Sequence, residues 1–149
     1  MEIRLANEAD YNELALMKWE HGAEDDIDYD EHNLDGVNKD EFVDEFVAFL
    51  KAHKEYEIIV AEVNGIVVSA MFAYLISKLP KPNGNAKYIS YLTNVYTKKE
   101  YRNKGIGTQM MNYIKSYLIE KKCELLFAWP SDNSIAWYQR NGFSEDNEI

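Results

Sequence analysis

The stretch that most limits the fold lies in the second half of the chain, where a strand, a loop, a helix and another strand are expected in succession. The segment YISYLTNVY from Tyr88 has the composition of a long strand, and KKEYRNKGIG follows it. Met110, Met111, Ile114 and Leu118 then recur at helical spacing, and ELLFAW is a further strand pattern. This order predicts a crossover that joins two parallel strands of one sheet.

The N-terminal part predicts one strand followed by two helices. Residues 2–5 alternate as a short strand, and Asn7, with Asp10 three places later, is expected to begin a helix. Asn38 is expected to cap a second helix with apolar residues over 42–50. The residues expected to point inward from the first helix are Leu14, Met17 and Trp19. The acidic stretch between Gly22 and Gly36 has no apolar period and is interpreted as a loop or an irregular helix.

The middle and the end of the chain complete the pattern. EIIVAEV and IVVSAMFAYLI are strands joined at Asn64-Gly65, a strong hairpin signal, and PKPNGNAK is a loop. SDNSIAWYQRNG is expected to be a helix that ends at Gly142, with a short strand from Phe143. The predicted order is β-α-α-β-β-β-α-β-α-β, a mixed α+β fold of a single domain over residues 1–149. Its sheet is mostly antiparallel and is flanked by about four helices.

Bulk properties exclude several classes of protein. No apolar run approaches the roughly 20 residues that span a bilayer, and the first residues do not form a signal peptide. The single cysteine, Cys123, permits no internal disulfide, so a cytoplasmic protein is expected, with no membrane partner. A formal net charge of −10 argues against nucleic-acid binding, which needs a basic face.

The charge is nevertheless unevenly distributed. Residues 24–45 hold eleven acidic residues and one basic residue, whereas residues 98–122 hold seven basic residues and two acidic ones. The acids Asp26, Asp28 and Asp30 begin like a calcium-binding EF-hand loop, but Glu31 stands where that loop requires glycine, so no metal site is predicted. The acidic run is either a solvated loop or a surface that attracts a cationic substrate.

The glycine segment 102–107 has a phosphate-binding pattern. Walker A and dinucleotide fingerprints do not fit, because the required lysine with serine or threonine and the required third glycine are missing. The pattern R-x-x-G-x-G remains, between a strand and a helix. Free N–H groups and the dipole at a helix N-terminus favour a pyrophosphate there, although an ordinary solvated loop has the same composition.

Two motifs in the expected order resemble the GCN5-related N-acetyltransferase (GNAT) superfamily. YLTNVYTKKEYRNKGIGTQMM is similar to its acetyl-CoA motif, and WPSDNSIAWYQRNGF to the motif that follows. The resemblance implies acetylation of a primary amine by direct attack in a ternary complex, and the acidic run favours an acceptor that is small and cationic. It implies acetyl-CoA as the cosubstrate and no metal, an acetyl-CoA half over about 88–143, and acceptor-site helices over about 7–53.

The resemblance also implies roles for individual residues. Tyr138 matches a tyrosine that protonates the departing thiolate, and the Val95 N–H is suited to polarise the thioester carbonyl. The positions expected to bind the coenzyme are Val95, Tyr96, Thr97, Arg102, Asn103, Lys104, Gly105, Ile106, Gly107, Thr108, Ser131 and Asn133. Ser131 stands where many members have asparagine, and Asn133 is either a substitute for it or the cap of the following helix.

Other features leave alternatives open. The proton acceptor is either Glu62 or a water chain, because the strand from Tyr88 to Val95 contains no carboxylate. The family usually continues for two strands beyond Phe143, so a missing strand could come from the partner in a homodimer. The rival functions are a coenzyme A-binding regulatory module of the same fold and an acidic partner of a basic protein.

Overall fold

A computed structural model describes residues 1–145 and contains one sheet and four α-helices. Its main elements, in chain order, are β1 (Glu2–Leu5), α1 (Tyr11–Asp28), α2 (Lys39–Ala52), β2 (Tyr56–Val63), β3 (Ile66–Ser77), β4 (Tyr88–Thr97), α3 (Ile106–Glu120), β5 (Cys123–Ala128) and α4 (Ile135–Arg140). The strands lie side by side in the order β1-β2-β3-β4-β5. Among these five strands only the pair β4–β5 is parallel, which confirms the predicted mixed α+β class and the crossover through α3.

The helices cover both faces of the sheet and bury two apolar clusters. Met110, Met111 and Ile114 of α3 pack on one face together with Tyr138 of α4. On the other face, Leu14 and Met17 of α1 pack with Leu50 of α2 and with the aromatic residues of β3 and β4. A sheet covered on both faces needs long apolar strands, and β3 is buried from Val67 to Ala73.

Local signals fix several of the element boundaries. The Asn7 side chain accepts the N–H of Ala9, and Asp10 accepts the N–H of Asn7, so the predicted cap is confirmed, with a short 3-10 turn leading into α1. Asn38 accepts the N–H of Glu41 at the start of α2. Asn64 and Gly65 both have positive φ, as a type I′ hairpin turn requires.

Two parts of the chain differ from the simplest prediction. The helix α1 continues through the first half of the acidic segment to Asp28, so only the second half is loop. Several polar positions of this extension face a cleft instead of the core, which explains the missing apolar period. Residues 143–145 form no strand, and the rest of the predicted C-terminal strand lies outside the described residues.

Strand β4 extends beyond the end of its parallel neighbour β5 and contains a β-bulge. Its pairing with β5 ends at Leu92↔Ala128, although β4 continues to Thr97. On the β3 side, Phe72 pairs with Thr93 and Ala70 with Tyr96, so β4 has one residue more than β3 in this interval. The strands therefore separate beyond Leu92, and the separation opens a cleft.

Candidate functional site

The cleft between the diverging ends of β4 and β5 has a volume of about 1020 Å³. Four segments form its walls: the second half of α1, residues 91–97 of β4, the loop and first turn of α3, and residues 129–140 around the start of α4. Clefts of this size hold cofactors and small-molecule substrates in many proteins. Tyr138 and all of the predicted coenzyme-binding residues except Lys104 line it.

The β4 wall offers backbone groups that no strand partner uses. Beyond Leu92, the β5 side of the strand has no ladder among the residues described, and Asn94 at the bulge has φ +49°. The predicted positions Val95, Tyr96 and Thr97 lie here. The Thr97 carbonyl accepts Nε of Arg102 at 2.8 Å, so this group is already engaged.

The glycine segment forms the turn that precedes α3. Asn103 and Gly105 both have positive φ, at 60° and 78°, and the helix begins at Ile106. The first bond back into the turn is Gln109 N–H to the Gly105 carbonyl, at 3.1 Å. The preceding amides, from Ile106 to Thr108, lie in the first helical turn, where N–H groups have no partner within the helix. This arrangement fits an anion such as a diphosphate.

Glycine is required at positions 105 and 107 for different structural reasons. Gly105 adopts a left-handed conformation with open space around it. A Cβ at Gly107 would lie 3.1 Å from Cζ2 of Trp137, so this glycine lets the Trp137 ring pack against the helix. Packing on Trp137 is therefore a reason for glycine at position 107 that is separate from anion binding.

The two basic side chains of the segment point to other groups in this structure. Arg102 donates to Glu24 Oε2 at 2.6 Å, and its guanidinium lies 5.3 Å from the Tyr96 ring centroid. Lys104 does not line the cleft, and its ammonium lies 5.6 Å from the Tyr101 ring centroid. The anion-binding capacity of the segment therefore rests mainly on its main-chain amides.

Ser131 and Asn133 lie on the wall beside α4. The Ser131 carbonyl accepts the N–H and the hydroxyl of Ser134, at 2.9 and 3.0 Å. Ser131 is the residue before the 3-10 turn, and Ser134 is the residue before α4. Asn133 is exposed within the turn, so its side chain is not the helix cap.

Tyr138 is buried at the base of the α4 wall, with 8% of its surface exposed. Its ring packs edge-on against Trp137 and Phe143. Burial, with a smaller contribution from Tyr91, raises the pKa of Tyr138 to about 12. The phenol is therefore protonated across the physiological pH range, and its hydroxyl can act as a donor in the cleft.

The α1 wall holds two functional candidates that the sequence prediction did not single out, Lys18 and His21. With Asp25 and Asp28 of the acidic run, they line the cleft at the spacing that places residues on one helix face. The sequence contains this spacing, but it does not show which face of the helix borders a site. Burial lowers the pKa of the Lys18 ammonium, and nearby Asp25 opposes this shift.

Glu24 links the α1 wall to β4 by a hydrogen bond. Its carboxylate accepts the Tyr96 hydroxyl at 2.8 Å and Arg102 at 2.6 Å. About three turns earlier in α1, Glu13 pairs with Lys98 at 2.6 Å. Burial and the bond to Glu24 raise the pKa of Tyr96 far above its ordinary value, so this hydroxyl remains a donor.

Glu62, one of the predicted proton acceptors, lies elsewhere. It stands on β2 opposite Glu2 of β1, with Oε1 3.7 Å from Nη2 of Arg4, and it does not line the cleft. Within residues 1–145, no group of three or more potential ligands could hold a metal ion. None of the helices described is both long and apolar enough to cross a bilayer.

Comparison with known proteins identifies the family. The model of the acetyltransferase (GNAT) family matches residues 9–143. No curated protein matches the sequence significantly. A predicted acetyltransferase with acetyl-CoA from Clostridium acetobutylicum has a TM-score of 0.75 and 22% identity, over 99% of this chain and 92% of that one.

Two further solved structures share the fold. A GCN5-related N-acetyltransferase from Ralstonia eutropha JMP134 has a TM-score of 0.73 and 19% identity, over 99% of this chain and 95% of that one. Glucosamine-6-phosphate N-acetyltransferase from Arabidopsis thaliana has a TM-score of 0.69 and 14% identity, over 99% and 94%. The diverging pair β4–β5, the cleft and the matched family model agree, and the chain belongs to the acetyltransferase (GNAT) family.

Proposed function

We propose that the protein transfers the acetyl group of acetyl-CoA to a primary amine of a small cationic acceptor, by direct attack within a ternary complex. Residues 1–149 act as one domain, with the coenzyme on residues 88–143 and the acceptor beside the helices of residues 7–53. The proposal rests on a single observation. The unpaired end of β4 and the free amides at the start of α3 line the same cleft.

The main chain would hold the coenzyme. The amides from Ile106 to Thr108 would donate to a diphosphate, where the helix dipole adds attraction. The unpaired edge from Val95 to Thr97 can bind an extended amide-containing arm as a missing strand would. Bound in this way, acetyl-CoA supplies an activated acyl group, and the Val95 N–H would stabilise charge on the thioester oxygen.

Tyr138 would assist the departing sulfur. A thiol has a pKa near 8.5, about 3.5 below the value of about 12 for this phenol, so complete proton transfer would cost roughly 5 kcal/mol. The hydroxyl therefore acts mainly as a hydrogen-bond donor to the sulfur as its charge develops. Such a bond is worth about 1.5–3 kcal/mol.

The acidic α1 wall favours a cationic acceptor. Four carboxylates line the cleft on the α1 side, those of Glu24, Asp25, Asp28 and Glu31, and the basic side chains that line the cleft are Lys18, Arg102 and Arg140. Arg102 is already paired with Glu24. The excess carboxylates make this wall attractive to an acceptor that keeps a second positive charge when its reacting amine is neutral.

The test is an amine panel of monoamines, diamines, polyamines and basic amino acids, with thiol release as the readout. Thermal shift with acetyl-CoA is measured in parallel. Release with a dicationic amine, together with a saturable shift, is the expected result. A shift without release for any amine would indicate the coenzyme-binding module instead, and the absence of any shift would contradict both.

A further inference from the structure

We propose that the imidazole of His21 is the group that removes the proton from the attacking amine, and that Asn94 positions this ring. The inference rests on the proposed acetyl transfer and extends it to the proton acceptor. Neither residue belongs to a sequence motif that predicts such a role. Three structural observations support it: the place of the ring, two unpaired buried atoms, and the charges around them.

The His21 ring lies beside the backbone that is expected to hold the thioester. It lines the cleft from α1 and stacks on Tyr96, with ring centroids 4.9 Å apart and an angle of 25° between the planes. Tyr96 directly follows Val95 in β4. The side chain of His21 is 26% exposed, so it is partly open to a molecule in the cleft.

Two buried atoms lack a hydrogen-bond partner among the residues described. They are Nδ1 of His21 and Oδ1 of Asn94, the residue that the β4 bulge turns to positive φ. The Asn94 amide is close enough to favour a protonated ring nitrogen. If Nδ1–H is donated to Oδ1, both atoms are satisfied and the Nε2 lone pair is left to accept a proton.

The surrounding charges suit a base that works near neutral pH. Burial and the Lys18 ammonium lower the pKa of His21, while Asp25, Asn94 and Glu24 oppose this shift. The ring is therefore neutral at about pH 7 and can take up a proton. On the facing strand, the Tyr96 hydroxyl is tied to Glu24, which is also bound by Arg102.

Asp25 stands where it can stabilise the protonated ring. Its Oδ2 lies 3.6 Å from Nε2 of His21, one helical turn away. This separation is longer than a hydrogen bond, so Nε2 does not donate a hydrogen bond to Asp25. When Nε2 takes up a proton, the carboxylate faces the new positive charge.

The proposed base and Tyr138 lie on opposite faces of the sheet. His21 stacks on Tyr96, which belongs to the cluster under α1 and α2, whereas Tyr138 belongs to the cluster under α3. In the step, the amine nitrogen forms a bond to the acyl carbon and the carbon–sulfur bond breaks with its electron pair on sulfur. His21 takes the proton from nitrogen and passes it to solvent, while the thiolate leaves hydrogen-bonded to the Tyr138 hydroxyl and takes its own proton from solvent.

The first test compares His21→Gln with the control His32→Gln, which changes a histidine of the exposed loop with 73% of its side chain accessible. In the wild type, kcat should fall in acid with an inflection below about pH 6.5, because the pKa of His21 is lowered. His21→Gln should lose this acid limb of the pH profile, and its kcat should be about 100-fold or more below that of the wild type. Its thermal shift with acetyl-CoA should remain, and His32→Gln should behave as the wild type.

A second pair of tests separates chemistry from structure. Imidazole added to His21→Ala should restore the rate in proportion to its neutral form. Asn94→Gly keeps the positive φ but removes the amide, and should move the acid limb to lower pH, whereas Asn94→Asp should move it higher.

Several outcomes would overturn the assignment. They are a His21→Gln enzyme within about twofold of the wild type, an unchanged acid limb, or loss of activity that imidazole does not restore. A wild type that binds acetyl-CoA but acetylates no amine would overturn the proposed function itself, and this inference with it.

Discussion

Gly105 and Gly107 stand two positions apart in the same turn, yet they meet different requirements. Gly105 has φ +78° and open space where a Cβ would be, so only its backbone conformation demands glycine. A Cβ added at Gly107 would lie 3.1 Å from the Trp137 ring, so the demand at this position is steric. The sequence pattern R-x-x-G-x-G records both glycines but does not distinguish the two reasons.

These reasons predict different effects of alanine. Gly105→Ala should lower the free energy of unfolding by about 1–2 kcal/mol through left-handed strain, and Gly105→Asn by less, because asparagine tolerates this conformation. Gly107→Ala should instead displace the Trp137 ring and change tryptophan fluorescence. Chemical denaturation with fluorescence detection measures both effects. Equal losses for Gly105→Ala and Gly105→Asn would contradict the conformational argument.

Tyr138→Phe should slow the reaction without weakening coenzyme binding. Loss of a hydrogen bond worth about 1.5–3 kcal/mol predicts a decrease in kcat of roughly 10- to 100-fold. Tyr113→Phe, at a partly exposed position of α3 outside the cleft, is the matched control. Steady-state kinetics with acetyl-CoA thermal shift measure the effect. If Tyr138→Phe kept full kcat, a role at the sulfur would be excluded.

At the scale of elements, the start of α1 depends on a partly buried ion pair. Asp10 is 8% exposed and accepts Arg4 at 2.8 and 2.9 Å, as well as the N–H of Asn7. Asp10→Asn should cost about 2–3 kcal/mol of unfolding free energy. Glu8→Gln, which removes an exposed ion pair with Lys54 at 3.2 Å, should cost less than about 1 kcal/mol. Urea denaturation of both variants measures the two losses, and equal losses would contradict the importance of burial.

The same pair predicts a pH dependence of stability. The bond to Arg4 lowers the pKa of Asp10 below its ordinary value, so its contribution is present above about pH 4. The contribution is lost as pH falls through the lowered pKa of the folded state. The difference in unfolding free energy between wild type and Asp10→Asn should therefore be constant from about pH 5 to 8. It should decrease towards zero in acid. A difference that persisted at about pH 2 would contradict this account.

The elements also show what the sequence could reveal. The caps at Asn7 and Asn38 and the Asn64-Gly65 hairpin depend on neighbouring residues, and they were predicted correctly. The bulge at Asn94 was not, because LTNVY has the pattern of an unbroken strand. The extra residue exists only in relation to the register of β3, which sequence periodicity does not contain.

The residues of the candidate site also divide into those that a local sequence pattern identifies and those that it does not. Its coenzyme side lies in one continuous motif, so Val95 to Thr97 and Asn103 to Thr108 could be named from the resemblance, and all but Lys104 line the cleft. The α1 side depends on tertiary packing. His21 meets Tyr96, and Glu24 meets Arg102, across more than half of the chain in sequence, so no local pattern connects them.

For the whole molecule, the uneven charge predicts how the acceptor is selected. Asp28 and Glu31 line the cleft, whereas Asp44 and Glu45 are exposed on α2 outside it. Asp28→Asn with Glu31→Gln should raise KM for a dicationic amine by about three- to tenfold, and added salt should reduce this difference. Asp44→Asn with Glu45→Gln changes the net charge equally and should leave KM nearly unchanged. Equal effects of the two pairs would point to net charge alone.

The central claim is that main-chain amides of the cleft hold the coenzyme, and backbone amide NMR during titration with acetyl-CoA tests it most directly. The account predicts saturable shifts that are largest for Val95 to Thr97 and for Gly105 to Thr108, and their loss in Gly107→Glu, with Gly107→Gln as the uncharged control of equal size. Resonances of these amides that stay in place while acetyl-CoA binds, or shifts confined to another surface, would contradict it.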